Sequence, residues 1–207
     1  MITTWWGDGS AALISPVWES PALLAIWVAF PAVAVAETLG ARGFDVVRFN
    51  FPYREKKSSR PDPMPVLKAT IADVVARVRK ERNPDKLIIG GRSMGGRAAS
   101  MLAADGFDCD GLLLLAYPLH PAGQPEKLRD AHLPKIEVPV LCFNGTRDAL
   151  CRRDLMEKAT SGLRGWQMHW LEGADHSFHV LKSSGRTDAE LLEEIGVARQ
   201  RWVSAMR

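Results

Sequence analysis

Strand-like and helix-like segments alternate along most of this chain, and that alternation limits the folds open to it more than any other feature. The strand-like segments are short runs of β-branched, aliphatic or aromatic residues. They are Asp45–Phe51, Lys86–Gly90, Gly111–Ala116, Val138–Phe143 and Gln167–Leu171. The helix-like segments around them are Val33–Leu39, Pro65–Arg82, Gly96–Ala104, Asp154–Thr160 and Thr187–Met206. This order predicts an α/β fold in which a mostly parallel sheet is covered by helices on both faces.

Length and composition fit one globular domain spanning residues 1–207. Apolar residues make up 46% of the chain and charged residues 25%, which is enough for a sizeable hydrophobic core. The formal net charge is only +3, and basic and acidic residues are interspersed, so we expect no nucleic-acid partner. Three cysteines in no paired spacing favour free thiols in a reducing compartment, with Cys109 and Cys142 buried.

The segment from Ser20 to Ala36 carries no charged residue and resembles a targeting segment. A secretory leader has a basic start, whereas Asp8 and Glu19 precede this run and Arg42 is the first basic residue. Two prolines interrupt the run, and it is short for a membrane-spanning helix. We therefore interpret it as a buried strand followed by the start of a helix, and expect a cytoplasmic protein with no membrane partner.

Ser93 lies in the motif Gly91-Arg92-Ser93-Met94-Gly95, between a predicted strand and a predicted helix. In that context G-x-S-x-G marks a sharp strand-to-helix turn that exposes the serine hydroxyl at the edge of the sheet. Glycines flank the serine because the turn brings neighbouring backbones close together. We predict that Ser93 is a nucleophile and that the backbone amide of Met94 stabilises an oxyanion.

A serine nucleophile needs a base and an acid that orients the base, and both should follow later strands of the sheet. Asp148 lies in the loop Asn144-Gly145-Thr146-Arg147-Asp148 after a strand, and we predict that it is the acid. Asp154 is the rival, although its place at the start of a helix favours a capping role. Asp175 is a weaker candidate because it adjoins the predicted base.

His176 follows the last strand by five residues and is the predicted base. His179 is closer to the next apolar stretch, which favours a surface or helix-start role. The remaining histidines either precede the acid or lie inside a strand; they are His120, His132 and His169.

Three further residues are candidates for substrate binding at the same edge of the sheet. Tyr53 and Tyr117 each follow a predicted strand, and ordinary strand-end packing explains both positions equally well. Arg92 flanks the nucleophile and could attract an anionic substrate, although such a residue is more often held in a structural ion pair. Only 21 residues separate the third and fourth strands, so no cap domain fits there. We expect a small acyl substrate, no cofactor and no metal, since the histidines and cysteines lack zinc-ligand spacing.

Six separated motifs occur in order along the chain: VVRFNFPY, GGRSMGGRAAS, YPLHPAGQPEKLRDAHL, FNGTRD, GADHSF and SGRT. In this order they resemble the motifs of the small, cap-less α/β-hydrolases related to dienelactone hydrolase. The resemblance covers about Val33 to Met206. It implies an α/β-hydrolase fold, a triad of Ser93, Asp148 and His176, and hydrolysis of an ester or similar acyl bond through an acyl-enzyme.

The chain departs from that family in its atypical first 34 residues. Relatives have a strand that ends in His-Gly and supplies one amide of the oxyanion hole, whereas this chain reads LLAIWVAFP from Leu23 to Pro31. Loss of one such donor costs roughly 10²–10³ in rate. The alternative function is therefore a non-catalytic binding or scaffold protein that retains the fold.

Overall fold

The computed structural model describes residues 2–5, 11–14, 23–28 and 45–206. Eight strands of these residues form one sheet in the order β2-β1-β4-β3-β5-β6-β7-β8. The strands are β1 (Ile2–Trp5), β2 (Ala11–Ile14), β3 (Leu23–Val28), β4 (Asp45–Phe49), β5 (Lys86–Arg92), β6 (Gly111–Leu115), β7 (Val140–Gly145) and β8 (Trp166–Leu171). Every neighbouring pair is parallel except β1 and β2. The prediction of a mostly parallel sheet is confirmed.

The described helices lie between and after the strands. They are α1 (Pro52–Glu55), α2 (Met64–Arg82), α3 (Met94–Ala104), α4 (Arg153–Thr160) and α5 (Asp188–Ala205), with 3₁₀ turns at Leu133–Lys135 and Lys182–Ser184. No helix among the described residues is both long and apolar enough to cross a bilayer.

The hydrophobic core consists of two layers, one on each face of the sheet. Strand β6 shows the division, because Leu112 and Leu114 pack on one face and Leu113 and Leu115 on the other. Helices α2 and α3 cover the first face, and α5 covers the second. A continuous apolar strand with both faces buried is typical of a parallel sheet between helical layers. The predicted covering of both faces is confirmed.

Close backbone contacts hold α3 against the strand that precedes it. A side chain at Gly91 would lie 2.9 Å from the Gly95 backbone, and one at Gly96 would lie 2.7 Å from the Gly91 carbonyl oxygen. A side chain at Gly90 would overlap the Leu113 carbonyl oxygen of β6. Glycine is therefore required where the chain leaves β5 and enters α3.

Several helices and strands begin or end at residues other than those predicted, each for a local reason. Helix α3 begins at Met94 rather than Gly96, because the turn at Ser93 leads directly into helical backbone. Strand β7 continues through Asn144 to Gly145, since both residues pair with β8. Arg152 is the N-cap of α4, so the prediction of a capping Asp154 is wrong; that carboxylate lies in the first turn and pairs with the Arg152 guanidinium.

The predicted segments near the start of the chain have mixed outcomes. The strand expected within residues 20–36 is confirmed as β3, which pairs with β4 on one side and β5 on the other. The predicted helix Val33–Leu39 lies outside the described residues. Thr187 caps α5 through a reciprocal capping box with Glu190, which agrees with the predicted start of that helix.

Candidate active site

Ser93 occupies a strained turn between β5 and α3. Its backbone has φ 53° and ψ −117°, a positive-φ conformation that non-glycine residues rarely adopt. Backbone strain of this kind costs of order 1–3 kcal/mol and persists only where the surroundings enforce it. Here the Ser93 amide donates to the Leu115 carbonyl (2.9 Å), and the Ser93 carbonyl accepts from the Arg97 amide (3.0 Å). The turn is thus anchored to β6 and to the first turn of α3.

A continuous chain of hydrogen bonds joins a hydroxyl, an imidazole and a carboxylate at this turn. The Nε2 atom of His176 lies 3.0 Å from the Ser93 Oγ, and its Nδ1 atom lies 2.8 Å from the Asp148 Oδ2. These three residues follow β5, β7 and β8, whose carboxyl ends share one edge of the sheet. The structure therefore brings together the three residues that were predicted from the sequence. Such a chain can transfer the hydroxyl proton to the imidazole while the carboxylate holds the ring.

The Asp148 side chain is fully buried, and hydrogen bonds compensate for its lost hydration. Oδ1 accepts from the Leu150 amide at 2.8 Å. Oδ2 accepts from the Asn144 Nδ2 at 3.2 Å in addition to its contact with His176. The carboxylate is therefore fixed from two sides, and its orientation towards the imidazole is set before any substrate arrives.

Asn144 is a supporting residue that the sequence reasoning did not identify. Its side-chain amide bonds both backbone polar groups of Tyr117, accepting from the amide and donating to the carbonyl, each at 3.1 Å. It therefore links the end of β6 to the end of β7 while donating to Asp148. The available sequence signal was a polar residue directly after the apolar run Val140–Phe143, in a strand buried along its whole length.

The loop that contains His176 is shaped by its own side chains and by β7. The Asp175 carboxylate accepts the backbone amides of Ser177 (2.7 Å) and His179 (3.0 Å). On the other side, the Arg147 amide donates to the Ala174 carbonyl at 2.9 Å. Asp175 therefore folds the loop and does not contact the imidazole, which agrees with its place as a weaker candidate for the acid than Asp148.

The other histidines have partners elsewhere. His179 is exposed and bonds Asp188, whose carboxylate raises the pKa of that imidazole. His169 bonds Glu194 from within β8, and the buried His120 accepts the Arg152 amide. The surface role predicted for His179 is confirmed.

A second serine–histidine pair lies within the core, away from the strand-end turn. The Ser100 Oγ is 2.8 Å from the His132 Nε2, and it also donates to the Arg97 carbonyl at 2.8 Å. Ser100 is fully buried in the interior of α3, so its hydroxyl is closed to an incoming substrate. We interpret this pair as a structural contact between α3 and the 3₁₀ turn that follows His132.

The His132 pair makes stability depend on pH. Burial, and then the nearby Arg97 guanidinium, lower the pKa of His132 to about 4, against the opposing carboxylates of Asp105 and Asp130. The unfolded chain, with an ordinary imidazole pKa of about 6.5, takes up this proton first as the pH falls. The contribution to the free energy of unfolding is therefore complete above about pH 6.5 and decreases towards about pH 4.

We expect His132→Asn to reduce the loss of stability between about pH 7 and about pH 4.5, measured by urea unfolding at both values. His179→Asn is the matched control. The pKa of the exposed His179 is raised, so its contribution to the free energy of unfolding changes with pH in the opposite direction to that of His132. Equal pH dependence in His132→Asn and the wild type would contradict this assignment.

The residues predicted to contact substrate have different locations. Met94 is the first residue of α3, so its amide is one of the four at the helix start that lack an intrahelical acceptor. Tyr117 is completely buried, and its hydroxyl donates to the Arg129 carbonyl at 2.7 Å. The proposed place of Tyr117 at the pocket border is therefore corrected to strand-end packing. Arg92 donates to the His176 carbonyl at 2.7 Å.

Tyr53 is largely buried in α1 and lines a cavity of about 500 Å³ with residues of the following loop. Those residues are Lys56, Ser58, Arg60, Pro61, Asp62 and Pro63. The Tyr53 amide donates to Asp62 at 2.8 Å, so that carboxylate already has a protein partner. The lining of this cavity includes neither Ser93 nor His176.

Between β6 and β7 the chain forms a loop whose only helical element is the turn at Leu133–Lys135. No cap domain is inserted at this position. Within the described part of the chain, no three histidine, cysteine or acidic side chains converge in the manner of a metal site. All three cysteines are buried and free, as the sequence predicted for Cys109 and Cys142.

Solved structures of other proteins share this architecture. An α/β serine hydrolase homologue from Coxiella burnetii is 22% identical, with a TM-score of 0.69 over 87% of this chain and 86% of that one. An α/β serine hydrolase without a lid from Xanthomonas campestris is 21% identical, with a TM-score of 0.68 over 97% and 93% of the two chains. A protein from Agrobacterium tumefaciens is 19% identical, with a TM-score of 0.74 over 98% and 96%.

These likenesses define the fold as that of the cap-less α/β hydrolases. A family model described as the α/β hydrolase domain matches residues 31–204, which is most of the chain. The chain therefore belongs to the α/β hydrolase domain family, as the six ordered motifs implied.

Proposed function

We propose that this protein is a serine hydrolase that cleaves a small ester or related acyl bond through an acyl-enzyme. One observation supports this most strongly: the His176 imidazole lies within hydrogen-bond distance of both the Ser93 hydroxyl and the Asp148 carboxylate. The three groups come from separate loops, and the serine backbone is held in a strained turn. A purely structural role explains neither the strain nor the alignment of the three groups.

The first half-reaction begins when the Ser93 Oγ attacks the acyl carbon and its proton passes to the His176 Nε2. The Asp148 carboxylate stabilises the imidazolium that results and keeps the ring in place. The carbonyl electrons collect on the oxyanion, which the Met94 amide at the start of α3 stabilises, helped by the positive end of the helix dipole. The carbon–oxygen bond to the leaving group then breaks, and His176 donates its proton to the departing alkoxide.

The second half-reaction hydrolyses the acyl-enzyme. Water attacks the acyl carbon while His176 takes one of its protons, and the Ser93 oxygen then leaves and recovers that proton. The products are one acid and one alcohol, and the protein returns to its starting state. A second oxyanion donor is expected beside β5. The end of β3 is adjacent, because Val28 pairs with Gly91, and the residues after β3 lie outside the described part of the chain.

The proposed substrate class is supported by the short connection between β6 and β7, which holds no inserted domain. Without an inserted domain between β6 and β7, a small ester or the end of a longer chain can approach Ser93 from solvent. We test the proposal with short-chain p-nitrophenyl esters and expect saturable turnover by the wild-type protein. Adding an alcohol or amine acceptor shows whether the acyl group passes to water alone.

The alternative of a non-catalytic binding or scaffold protein is supported by the missing His-Gly sequence at Leu23–Pro31. The two functions differ in one result. The decisive measurements are made on protein that unfolds cooperatively on heating. If such protein neither hydrolyses esters of two or three acyl lengths nor reacts with a fluorophosphonate, the scaffold function is favoured and the hydrolase is contradicted.

A further inference from the structure

Arg92 connects the strand that precedes the serine to the loop that contains the histidine. It is the last residue of β5, and its Nη2 atom donates to the His176 carbonyl at 2.7 Å and to the Ser177 Oγ at 3.3 Å. The two ends of this contact are 84 positions apart in the chain. A single side chain therefore joins the two elements whose relative position determines the distance between Ser93 and His176.

The surroundings of Arg92 fit a structural contact better than a binding site for a substrate anion. The guanidinium is partly buried, and burial lowers the pKa of Arg92 while the Asp148 and Asp175 carboxylates act in the opposite direction. Its two identified acceptors are neutral oxygens of the protein itself. Hydrogen bonds from a charged donor are stronger than those between neutral groups, so these two contacts can hold the loop against β5.

Other contacts to this loop act at different positions. Arg147 donates from its guanidinium to the Gly173 carbonyl at 3.0 Å and from its amide to the Ala174 carbonyl. Asp175 folds the loop internally. Arg92 instead contacts the backbone of His176 itself, from the side of the nucleophile.

We propose that Arg92 is a positioning residue that fixes the backbone of His176 relative to Ser93, so that the imidazole stays within reach of the serine hydroxyl. This inference rests on the proposed hydrolase function. It differs from the role in attracting an anionic substrate that the sequence also allowed. A displacement of about 1 Å in reacting groups can cost on the order of 10²-fold in rate, so a loosened loop should lower kcat with little effect on KM.

The kinetic test compares Arg92→Ala and Arg92→Lys with the wild type on a neutral p-nitrophenyl ester and on an ester of the same length with a free carboxylate. We expect kcat to fall by about 10- to 100-fold in Arg92→Ala for both esters, with KM nearly unchanged. Arg92→Lys retains the positive charge and can donate one of the two hydrogen bonds, so its decrease in kcat should be smaller than that of Arg92→Ala. Added guanidinium ion should restore part of the kcat of Arg92→Ala.

The matched control is Arg153→Ala, which removes a half-exposed guanidinium from α4 that pairs with Glu157. Its kcat should equal that of the wild type. An increase in KM for the anionic ester alone, with kcat unchanged, would overturn positioning in favour of substrate attraction. Unchanged kcat and KM for both esters would overturn it as well.

Hydrogen exchange separates failure of this inference from failure of the proposed hydrolase function, because it requires no turnover. We expect the backbone amides of residues 173–179 to exchange faster in Arg92→Ala than in the wild type. The amides of α2 serve as the internal reference and should exchange at the same rate in both proteins. Unchanged exchange in that loop would overturn the positioning role whether or not the wild type hydrolyses esters. Faster exchange in a protein without turnover would support the contact and contradict the hydrolase alone.

Discussion

Replacing Ser93 by alanine is expected to abolish labelling by a fluorophosphonate and to lower kcat for p-nitrophenyl esters by at least about 10⁴-fold. Among the described residues, the Ser93 hydroxyl is the nucleophilic group that lies at the strand-to-helix turn and within hydrogen-bond distance of the His176 imidazole. Alanine removes that nucleophile while adopting the same backbone turn. The variant should therefore retain the thermal midpoint of the wild type within a few degrees.

Ser100→Ala is the matched control for this prediction, because Ser100 is the other described serine bonded to a histidine ring. We expect it to lose about 1 kcal/mol of stability with its buried hydrogen bond, and to label as the wild type does. Labelling that persists in Ser93→Ala, or disappears in Ser100→Ala with the fold intact, would refute the assignment of the nucleophile.

Asp148→Asn should lower kcat by about 10⁴-fold at neutral pH. The amide removes the charge that stabilises the imidazolium, and its NH₂ group would donate to the His176 Nδ1, which forces the proton onto the nitrogen facing Ser93. The same NH₂ group would also face the Asn144 amide, a second donor 3.2 Å from the Asp148 oxygen in the wild type. We therefore expect lower stability as well, measured by thermal unfolding alongside the ester assay.

Asp154→Asn tests whether this effect is specific to Asp148. Asp154 was the rival acid in the sequence, and the structure places it on the surface in a pair with Arg152. Its replacement should leave kcat unchanged. A comparable loss of activity in both variants, or an Asp148→Asn protein with wild-type kcat, would contradict the role given to Asp148.

The sequence was sufficient to predict the sheet and the three residues that meet at its edge, for identifiable reasons. Apolar runs such as that of β6 mark strands buried on both faces, and alternation with helices makes them parallel. In a parallel sheet all carboxyl ends lie on one side, so Ser93, Asp148 and His176 could be brought together by counting strand ends alone. The flanking glycines gave an independent sign of the sharp turn, which the close contacts of Gly91 and Gly96 explain.

The parts that escaped prediction depend on tertiary contacts between distant residues. Asn144 and Gly145 are poor strand formers, but pairing with β8 extends β7 through both. The partners of Arg92 lie on a loop far along the chain, and the sequence offers no sign of them. Tyr117 is completely buried and follows Ala116, whose positive φ of 48° is a backbone feature that strand patterns do not reveal.

Mass spectrometry of the fluorophosphonate-treated wild-type protein tests the central claim most directly, because trypsin separates the two serines at issue. Cleavage after Arg92 and Arg97 releases residues 93–97, which contain Ser93, whereas Ser100 lies in the peptide of residues 98–127. We expect one adduct per chain, on the peptide of residues 93–97. An adduct on residues 98–127, or a folded protein that forms none, would contradict the account.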